Sequence, residues 1–332
     1  MKAIIYTEYG SPEVLHLAEL EKPVPKDHEI LIRVRASSVN YGDLTARNFG
    51  NISANQFHML GLFWLLARFA FGLNKPNNHV LGSELAGEVE AVGLAVTRFK
   101  QGDQVFGYTG QGMGAYAEYR CMPETGMVTH KPSNLSYAQA ATIPYGAITA
   151  LNLLKKAKLQ ARQRILINGA SGAIGAAAVQ LAKHHFGAHV TGVGSSQRLE
   201  LIRSLGADSV IDYSQQDFTK NGQSYDLILD VLGKGSFSRA RASLQPNGRY
   251  LFASFKAKQL LQMLWTSVFG KQKVICALSE EKPQDLVLIK ELCEAGKIKA
   301  FVDQDYPLEQ TAAAHRYVES GRRTGSVAIT IS

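Results

Sequence analysis

The sequence predicts an α/β protein in which a doubly wound parallel sheet is inserted into a β-rich domain. Three observations carry this. A glycine-rich turn joins a short apolar run to a small-residue helix at residues 164–183, and strand-like and helix-like stretches alternate from there to residue 278. The N-terminal third instead shows short alternating strands broken by Gly and Pro.

The apolar run Ile165 to Ile167 reads as a buried parallel strand, and Ala173 to Lys183 as the helix that follows. The turn between them reads Ala170-x-Gly172-x-x-Gly175, a dinucleotide fingerprint with Ala in the first glycine slot and Gly169 before it. Ser171, Gly172, Ala173, Ile174 and Gly175 are therefore the candidate pyrophosphate cradle. At Gly172 the missing side chain lets backbone N–H groups approach the phosphates, and at Gly175 it lets the helix pack on the strand. The helix N-terminus adds partial positive charge and unpaired donors. A plain tight turn is the competing reading of the glycines; the strand–turn–helix context favours the dinucleotide. Asn168 reads as a cap on the turn.

The second strand, Ala188 to Val193, runs into Gly194-Ser195-Ser196-Gln197-Arg198. A site built for NAD places an acidic residue about 20 positions past the fingerprint to hold the ribose hydroxyls. No acidic residue occurs from Gly169 to Leu199. A guanidinium pairs bidentately with a 2′-phosphate, and a carboxylate there would repel it. Gly194, Ser195, Ser196 and Arg198 thus point to NADP(H), against the alternative of a surface Arg opening a helix.

The same alternation gives a third strand at Ser209–Asp212, a fourth at Tyr225–Val231 and a helix at Ser236–Leu244. A fifth strand follows at Arg249–Ala253, then a long helix at Lys256–Phe269 and a sixth strand at Lys273–Leu278. Six strands alternating with helices make a doubly wound sheet with its ligand at the carboxyl edge. Before it, Glu29–Arg35, Leu85–Gly93 and Asp103–Gly107 read as strands of a barrel-like domain. The tail supplies a helix at Gln284–Ala295, a strand at Ala300–Asp303, a helix at Leu308–Ser320 and a last strand at Ser326–Ile331. Returning this tail to the β-rich domain gives residues 1–125 plus 279–332 as one unit and 126–278 as the nucleotide domain, with nicotinamide and substrate in the cleft between them.

A chain of 332 residues exceeds one typical domain. Met1-Lys-Ala-Ile-Ile-Tyr6 runs directly into strand-like sequence rather than a signal peptide. Three scattered cysteines, Cys121, Cys276 and Cys293, suit a reducing compartment and a cytoplasmic enzyme. The net charge of +8 is spread along the chain without a basic run or aromatic–basic interleaving, which argues against a nucleic-acid partner.

The fingerprint is one of several motifs in a recognisable order. Met-Lys-Ala-Ile-Ile-Tyr opens the chain, followed by Ser38-Val-Asn-Tyr-Gly-Asp43 and Leu81-Gly-Ser-Glu-Leu-Ala-Gly-Glu-Val89. After the fingerprint come Ser204-Leu-Gly-Ala-Asp208, Val210-Ile-Asp-Tyr213 and Gly325-Ser-Val-Ala-Ile329. Over essentially its full length the chain resembles the medium-chain dehydrogenase/reductase superfamily, in its zinc-free quinone oxidoreductase branch. The resemblance implies a GroES-like catalytic domain, a Rossmann domain, NADPH as hydride donor and a homodimer formed through the Rossmann sheet edge. It carries Asn40, Tyr41 and Asp43 to the cleft floor near the nicotinamide, with Tyr41 the best acid candidate and a packing turn the alternative. It also matches Thr149 to a cofactor-facing threonine and Tyr213 to an adenosine-side contact.

The zinc enzymes of that superfamily oxidise alcohols, and their catalytic ligands would fall where this chain has Asn40 and Ser83. No cysteine pair has zinc-ligand spacing, and the nine histidines form no HExxH-type cluster. This reads as no metal, with Glu84 as a structural acid. Zinc lowers the pKa of bound water from about 15.7 to about 7, roughly 12 kcal/mol of oxyanion stabilisation. Neutral donors supply about 3–4 kcal/mol each. That is enough for an acceptor that spreads its own charge, such as a quinone or α,β-unsaturated carbonyl, and too little for an unactivated alcohol. The expected reaction is conjugate hydride delivery from NADPH to a small hydrophobic carbonyl or quinone, with a proton from water or a tyrosine. A short-chain dehydrogenase is set aside because Tyr-x-x-x-Lys occurs at none of the thirteen tyrosines. A catalytically weak NADPH-binding sensor, associated with a membrane or a partner, is the alternative.

Two apolar segments fall outside this scheme. Phe57 to Leu73 is longer and greasier than the branch pattern, yet it is interrupted by Arg68 and too short to span a bilayer. Leu260 to Phe269 is flanked by Lys256, Lys258, Lys271 and Lys273. They read as a lid over the cleft mouth for a large hydrophobic substrate, as core packing or a dimer contact, or as a peripheral membrane contact.

Overall fold

The computed structural model describes residues 1–54, 56–57 and 61–332, and shows the expected α/β architecture as two large sheets with helices packed around them and a small two-stranded sheet of Lys2–Ile5 and His16–Glu19. Six parallel strands run across one sheet in the order Ser209–Asp212, His189–Gly194, Arg164–Asn168, Tyr225–Asp230, Leu244–Phe252, Lys273–Cys276. The first of them in sequence lies in the middle, and the chain winds outward to one side and then to the other. Ile165, Leu166 and Ile167 are fully buried, as a central strand covered on both faces must be. The winding reverses between Arg164–Asn168 and Tyr225–Asp230, whose last residues are register partners. There Asn168 Nδ2 donates to Asp230 Oδ1 at 3.1 Å. A crevice outside the carboxyl ends at this switch point is where such sheets bind ligands.

The second sheet has seven strands and closes with the tail. Ser326–Thr330 pairs antiparallel with Glu29–Val39, Val327 facing Val39, and parallel with Val302–Pro307. Glu29–Val39 also pairs with Glu84–Val92, which continues to Gln104–Tyr108. Helix Pro283–Glu294 buries Leu286, Ile289, Leu292 and Cys293 in the same apolar core as Leu151, Ile165 and Leu181.

Two elements differ from the sequence expectation. The helix foreseen at Ser236–Leu244 is a four-residue helix, Phe237–Ala240, and one 3₁₀ turn, after which Leu244 opens the next strand. Leu244 is drawn into the sheet by pairing with Tyr225, and Pro246 keeps Gln245 out of the α conformation so the helix cannot resume. The strand foreseen at Ala300–Asp303 lies at Val302–Pro307, drawn further along by pairing with the last strand.

Of the apolar segment Phe57 to Leu73, His58, Met59 and Leu60 lie outside the described residues, and Gly61–Phe71 is a helix. Its inner side is anchored by Trp64 Nε1 donating to the Ile52 carbonyl at 2.7 Å and by Phe71 against Phe49, ring centroids 5.0 Å apart. Leu260 to Phe269 falls within the helix Ala257–Phe269. Among the described residues no helix is long and apolar enough to cross a membrane.

Candidate active site

A cavity of about 920 Å³ opens between the carboxyl edge of the parallel sheet and the floor of the other domain. Ser171, Gly172, Ala173, Ile174, Gly194, Ser195, Arg198 and Tyr213 of the expected cofactor residues line it, together with Thr149 and Tyr41. Gly175, Ser196, Asn40 and Asp43 do not.

The cradle follows from local geometry. Gly172 is the N-cap of the Ala173–His184 helix in extended conformation, with no side chain capping that helix. The first-turn N–H groups therefore await a partner. A Cβ on Gly172 would meet only the Gly169 carbonyl oxygen, at 3.9 Å, so the backbone there is open to the cavity. On Gly175 it would sit 2.0 Å from that same oxygen. Gly175 thus sets how close the helix comes to the turn. Gly146 does the same for the neighbouring helix Pro144–Lys156, where a Cβ would come within 2.5 Å of the Ala173 carbonyl oxygen. These features fit a dinucleotide pyrophosphate: open glycine backbone and free helix donors face one wall.

Two guanidiniums stand beside the cradle. Arg198 Nη1 donates to Ser171 Oγ at 3.4 Å, and its Nη2 donates to the Gly321 carbonyl. Arg323 lines the same cavity and has no hydrogen-bond or ion-pair partner among the described residues. Burial lowers its pKa, and the Arg198 charge adds to that. Neither guanidinium is paired with a carboxylate among the described residues, so the wall presents excess positive charge to an anionic ligand. Ser196 is turned away, its hydroxyl donating to the Asp212 carboxylate. Tyr213 is exposed at the rim.

At the other end lies a buried polar network. Asn40 caps the helix Tyr41–Arg47: its Oδ1 accepts from the Gly42 N–H at 2.8 Å and the Asp43 N–H at 3.3 Å. Asp43 Oδ2 returns the bond, accepting from the Asn40 N–H at 3.0 Å. Asn40 Nδ2 donates to Ser83 Oγ at 2.7 Å and to Glu84 Oε2 at 2.9 Å. Ser38 Oγ also donates to Glu84 Oε2, and the Tyr145 N–H donates to Glu84 Oε1 at 2.7 Å. Burial raises the Glu84 pKa, and these three bonds work against that rise. Both carboxylate oxygens of Glu84 are engaged, and Asn40 and Asp43 lie beneath the cavity floor rather than on it.

Above this network Tyr41, Tyr108 and Tyr145 face the cavity. Tyr41 is more than half exposed, at 57 %. Burial raises the pKa of Tyr145 and of Tyr108, which keeps both phenols protonated as donors. Tyr108, Tyr145 and Arg323 escaped the sequence reading. Tyr145 had a usable signal, since it sits four residues before Thr149 and therefore on the same face of one helix. Tyr108 and Arg323 had none, because each reaches the cavity only through long-range closure of the two sheets.

An alcohol dehydrogenase GroES-like domain matches residues 26–133, and a zinc-binding dehydrogenase domain matches residues 205–329. The chain is 32 % identical over 340 residues to a 2-methylene-furan-3-one reductase of Solanum lycopersicum, covering 99 % of this chain and 79 % of that one. It is 29 % identical over 340 residues, with the same coverage, to a chloroplastic NADPH-dependent alkenal/one oxidoreductase of Arabidopsis thaliana. The solved structure of the quinone oxidoreductase from Coxiella burnetii superimposes with a TM-score of 0.85 at 26 % identity, covering 100 % of this chain and 99 % of that one. Fold, cradle and relatives together define an NAD(P)H-dependent oxidoreductase. The chain belongs to the medium-chain dehydrogenase/reductase superfamily, in its quinone oxidoreductase-like branch.

Proposed function

We propose that this protein is a reductase that takes hydride from NADPH to a quinone or α,β-unsaturated carbonyl without a metal. The observation that carries the reading is the closed network of Asn40, Ser83 and Glu84. An amide and a hydroxyl make a weak donor set for zinc, which is held by thiolate, imidazole or carboxylate. Two carboxylates are present: Glu84 has both oxygens committed to Ser38, Asn40 and the Tyr145 N–H, and Asp43 Oδ2 takes the Asn40 N–H. Among the described residues no third His, Cys, Asp or Glu joins them as a metal-ligand set. The zinc-binding dehydrogenase domain match covers residues 205–329 and so leaves these positions out.

NADPH, when bound, supplies the hydride. The first-turn N–H groups at Ala173 and Ile174 hold its pyrophosphate, and Arg198 with Ser195 takes the 2′-phosphate. Arg323 adds a second positive charge to the phosphate wall. Thr149 and Tyr145, on one face of their helix, meet the nicotinamide end. Tyr145 and Tyr41 donate hydrogen bonds to the substrate oxygen as negative charge gathers there, and Tyr41, nearer solvent, gives a proton to the reduced product and regains one from water. Asn40 and Asp43 act as positioning residues, fixing the helix whose first residue is Tyr41. The name of the Arabidopsis relative supports NADPH and an alkenal or enone, and that of the Coxiella structure supports a quinone.

The test compares NADPH with NADH as donors to one quinone and one enone. The reading expects kcat/KM for NADPH to exceed that for NADH by roughly 10-fold or more, the worth of one charge-assisted phosphate contact. Equal use of the two would place the 2′-phosphate away from Arg198.

A further inference from the structure

The helices Gly61–Phe71 and Ala257–Phe269 each turn an apolar stripe outward. Leu62, Leu65, Leu66 and Phe69 are exposed on the first, with Leu73 just past its end; Leu261, Leu264, Trp265, Val268 and Phe269 are exposed on the second. The recurring spacing of three and four residues is that of the face a helix normally buries. The opposite faces are already used. Phe63 packs into the same apolar cluster as Leu260 and Met263. Thr266 is buried, and its Oγ1 accepts from the Val274 N–H at 3.0 Å. The two helices therefore share one apolar bed and carry nine large exposed apolar side chains on their far sides, with Leu73 a tenth beside them. A patch of that kind marks an interaction surface.

Charge identifies what it meets. Residues 44–83 and 231–279 contain no Asp or Glu, and together hold eleven Lys and Arg. Without these two stretches the net charge of +8 would be −3. Arg47 and Arg239 are paired with Glu319 and Asp217, and Lys234 lines the cavity. Lys258, however, stands three residues before Leu261 on the exposed stripe, and Lys75 and Lys271 are exposed shortly past the ends of the two helices. A second copy of this face would set these cations against themselves, which disfavours a symmetric contact. An anionic lipid surface satisfies both the apolar stripes and the cations. The position is telling as well: Ile52, Gln56 and Phe57, leading toward the first helix, and Leu278, soon after the second, line the cavity.

We propose that the outer face of these two helices docks on an anionic lipid bilayer, lying in its interface without crossing it. The docking stands independently of the reaction; entry of a lipid-dissolved acceptor from the bilayer into the cavity rests on the function proposed above.

Both tryptophans of the chain, Trp64 and Trp265, lie on these helices, so fluorescence reads the contact directly. The experiment mixes the whole protein with vesicles of phosphatidylcholine alone or containing phosphatidylglycerol, and follows co-sedimentation and quenching by bromine-labelled acyl chains. With Trp64→Phe, Trp265 is the single reporter. The expected result is blue-shifted, bromine-quenched Trp265 emission and roughly 10-fold or stronger partitioning onto the anionic vesicles, reduced by added salt. The combined changes Leu65→Gln, Phe69→Gln, Leu264→Gln and Val268→Gln should remove binding. Circular dichroism and turnover of a water-soluble quinone should be unchanged, and retained turnover would separate lost docking from a failed fold or a failed reaction. Background sedimentation with anionic vesicles overturns the proposal. So does a change from dimer to monomer on making those substitutions without any vesicle binding by the parent protein, since the face would then be covered by a second copy.

Discussion

Asn40 and Glu84 hold the two halves of the site together: Asn40 Nδ2 donates to Glu84 Oε2 at 2.9 Å, while Glu84 Oε1 takes the Tyr145 N–H at 2.7 Å. One buried carboxylate thereby links the helix that begins at Tyr41 to the helix that carries Tyr145 and Thr149. Asn40→Ala removes the helix cap and takes a donor from Ser83, while Glu84 Oε2 keeps the bond from Ser38. A lost cap costs about 1 kcal/mol and an unsatisfied buried group about 1–3 kcal/mol, so a loss of about 2–4 kcal/mol is expected. Urea unfolding measures it. Because Asn40 positions Tyr41 rather than touching cofactor, kcat should fall while KM for NADPH holds.

Two glycines of one turn should respond in opposite ways. Gly175→Ala puts a methyl 2.0 Å from the Gly169 carbonyl oxygen, a backbone atom that cannot step aside. Overpacking of this kind costs about 3 kcal/mol or more, so the unfolding midpoint should drop. Gly172→Val meets open space and a backbone angle that any residue adopts. Its stability should fall by only about 1 kcal/mol, the difference between Gly and an apolar residue as a helix cap, well short of the loss at Gly175. Its dinucleotide affinity, measured by nucleotide fluorescence titration, should fall because the side chain fills the cradle.

Substituting Arg198 and Arg323 in turn tests which guanidinium meets the 2′-phosphate. Arg198→Ala should weaken NADPH roughly 10- to 100-fold, the worth of a charge-assisted contact, and leave NADH unchanged. Arg323→Ala should weaken both dinucleotides alike. Titration of each variant with each nucleotide distinguishes these patterns.

Tyr145→Phe removes a donor that faces the cavity from a half-buried position. Loss of one preorganised oxyanion donor costs about 100-fold in kcat or more. Tyr41→Phe should cost less, because at 57 % exposure water can take the place of its hydroxyl. Steady-state kinetics with a fixed quinone gives both values.

Asp43 should make stability depend on pH. Burial pushes its carboxyl up to about 7, opposed by the bond from the Asn40 N–H and aided by the Glu84 charge. An unfolded Asp titrates near about 3.9. The folded state therefore favours the protonated form, so the contribution of this group is full below about pH 4 and is lost as pH rises through about 7. Asp43→Asn removes that dependence. Relative to the parent, the variant should gain stability between pH 4 and pH 8, by at most about 4 kcal/mol at about 1.36 kcal/mol per pKa unit. Urea midpoints across this range provide the check, and a parent–variant difference that does not move with pH contradicts it.

The nucleotide half was legible because its information is local. The strand Ile165 to Ile167, the fingerprint and the helix after it occupy one continuous stretch, and backbone geometry alone fixes what the glycines do. The substrate half was less so. Tyr41 and Asn40 were found through a motif, but which of them faces the cavity depends on the cap: Asn40 turns inward to hold Asp43 and Glu84, leaving Tyr41 above. Tyr108 and Arg323 lie far from the fingerprint in sequence and meet it only when the tail strand Ser326–Thr330 pairs with Glu29–Val39. In the two apolar segments, composition marked Phe57 to Leu73 and Leu260 to Phe269 without revealing which side each would bury. Phe63 and Met263 hold the inner faces, which leaves the more continuous stripes outside.

The central claim is that Asn40, Ser83 and Glu84 support a reduction that needs no metal. Its most direct test is NADPH oxidation by chelator-treated protein, with metal content measured on the same sample, offered a quinone, an enone and a simple aldehyde. Turnover of the quinone or the enone should be unchanged by the chelator, and the aldehyde should be a poor acceptor. Activity that vanishes with the chelator and returns with added zinc would contradict it, as would tight NADPH binding with no turnover of any of the three.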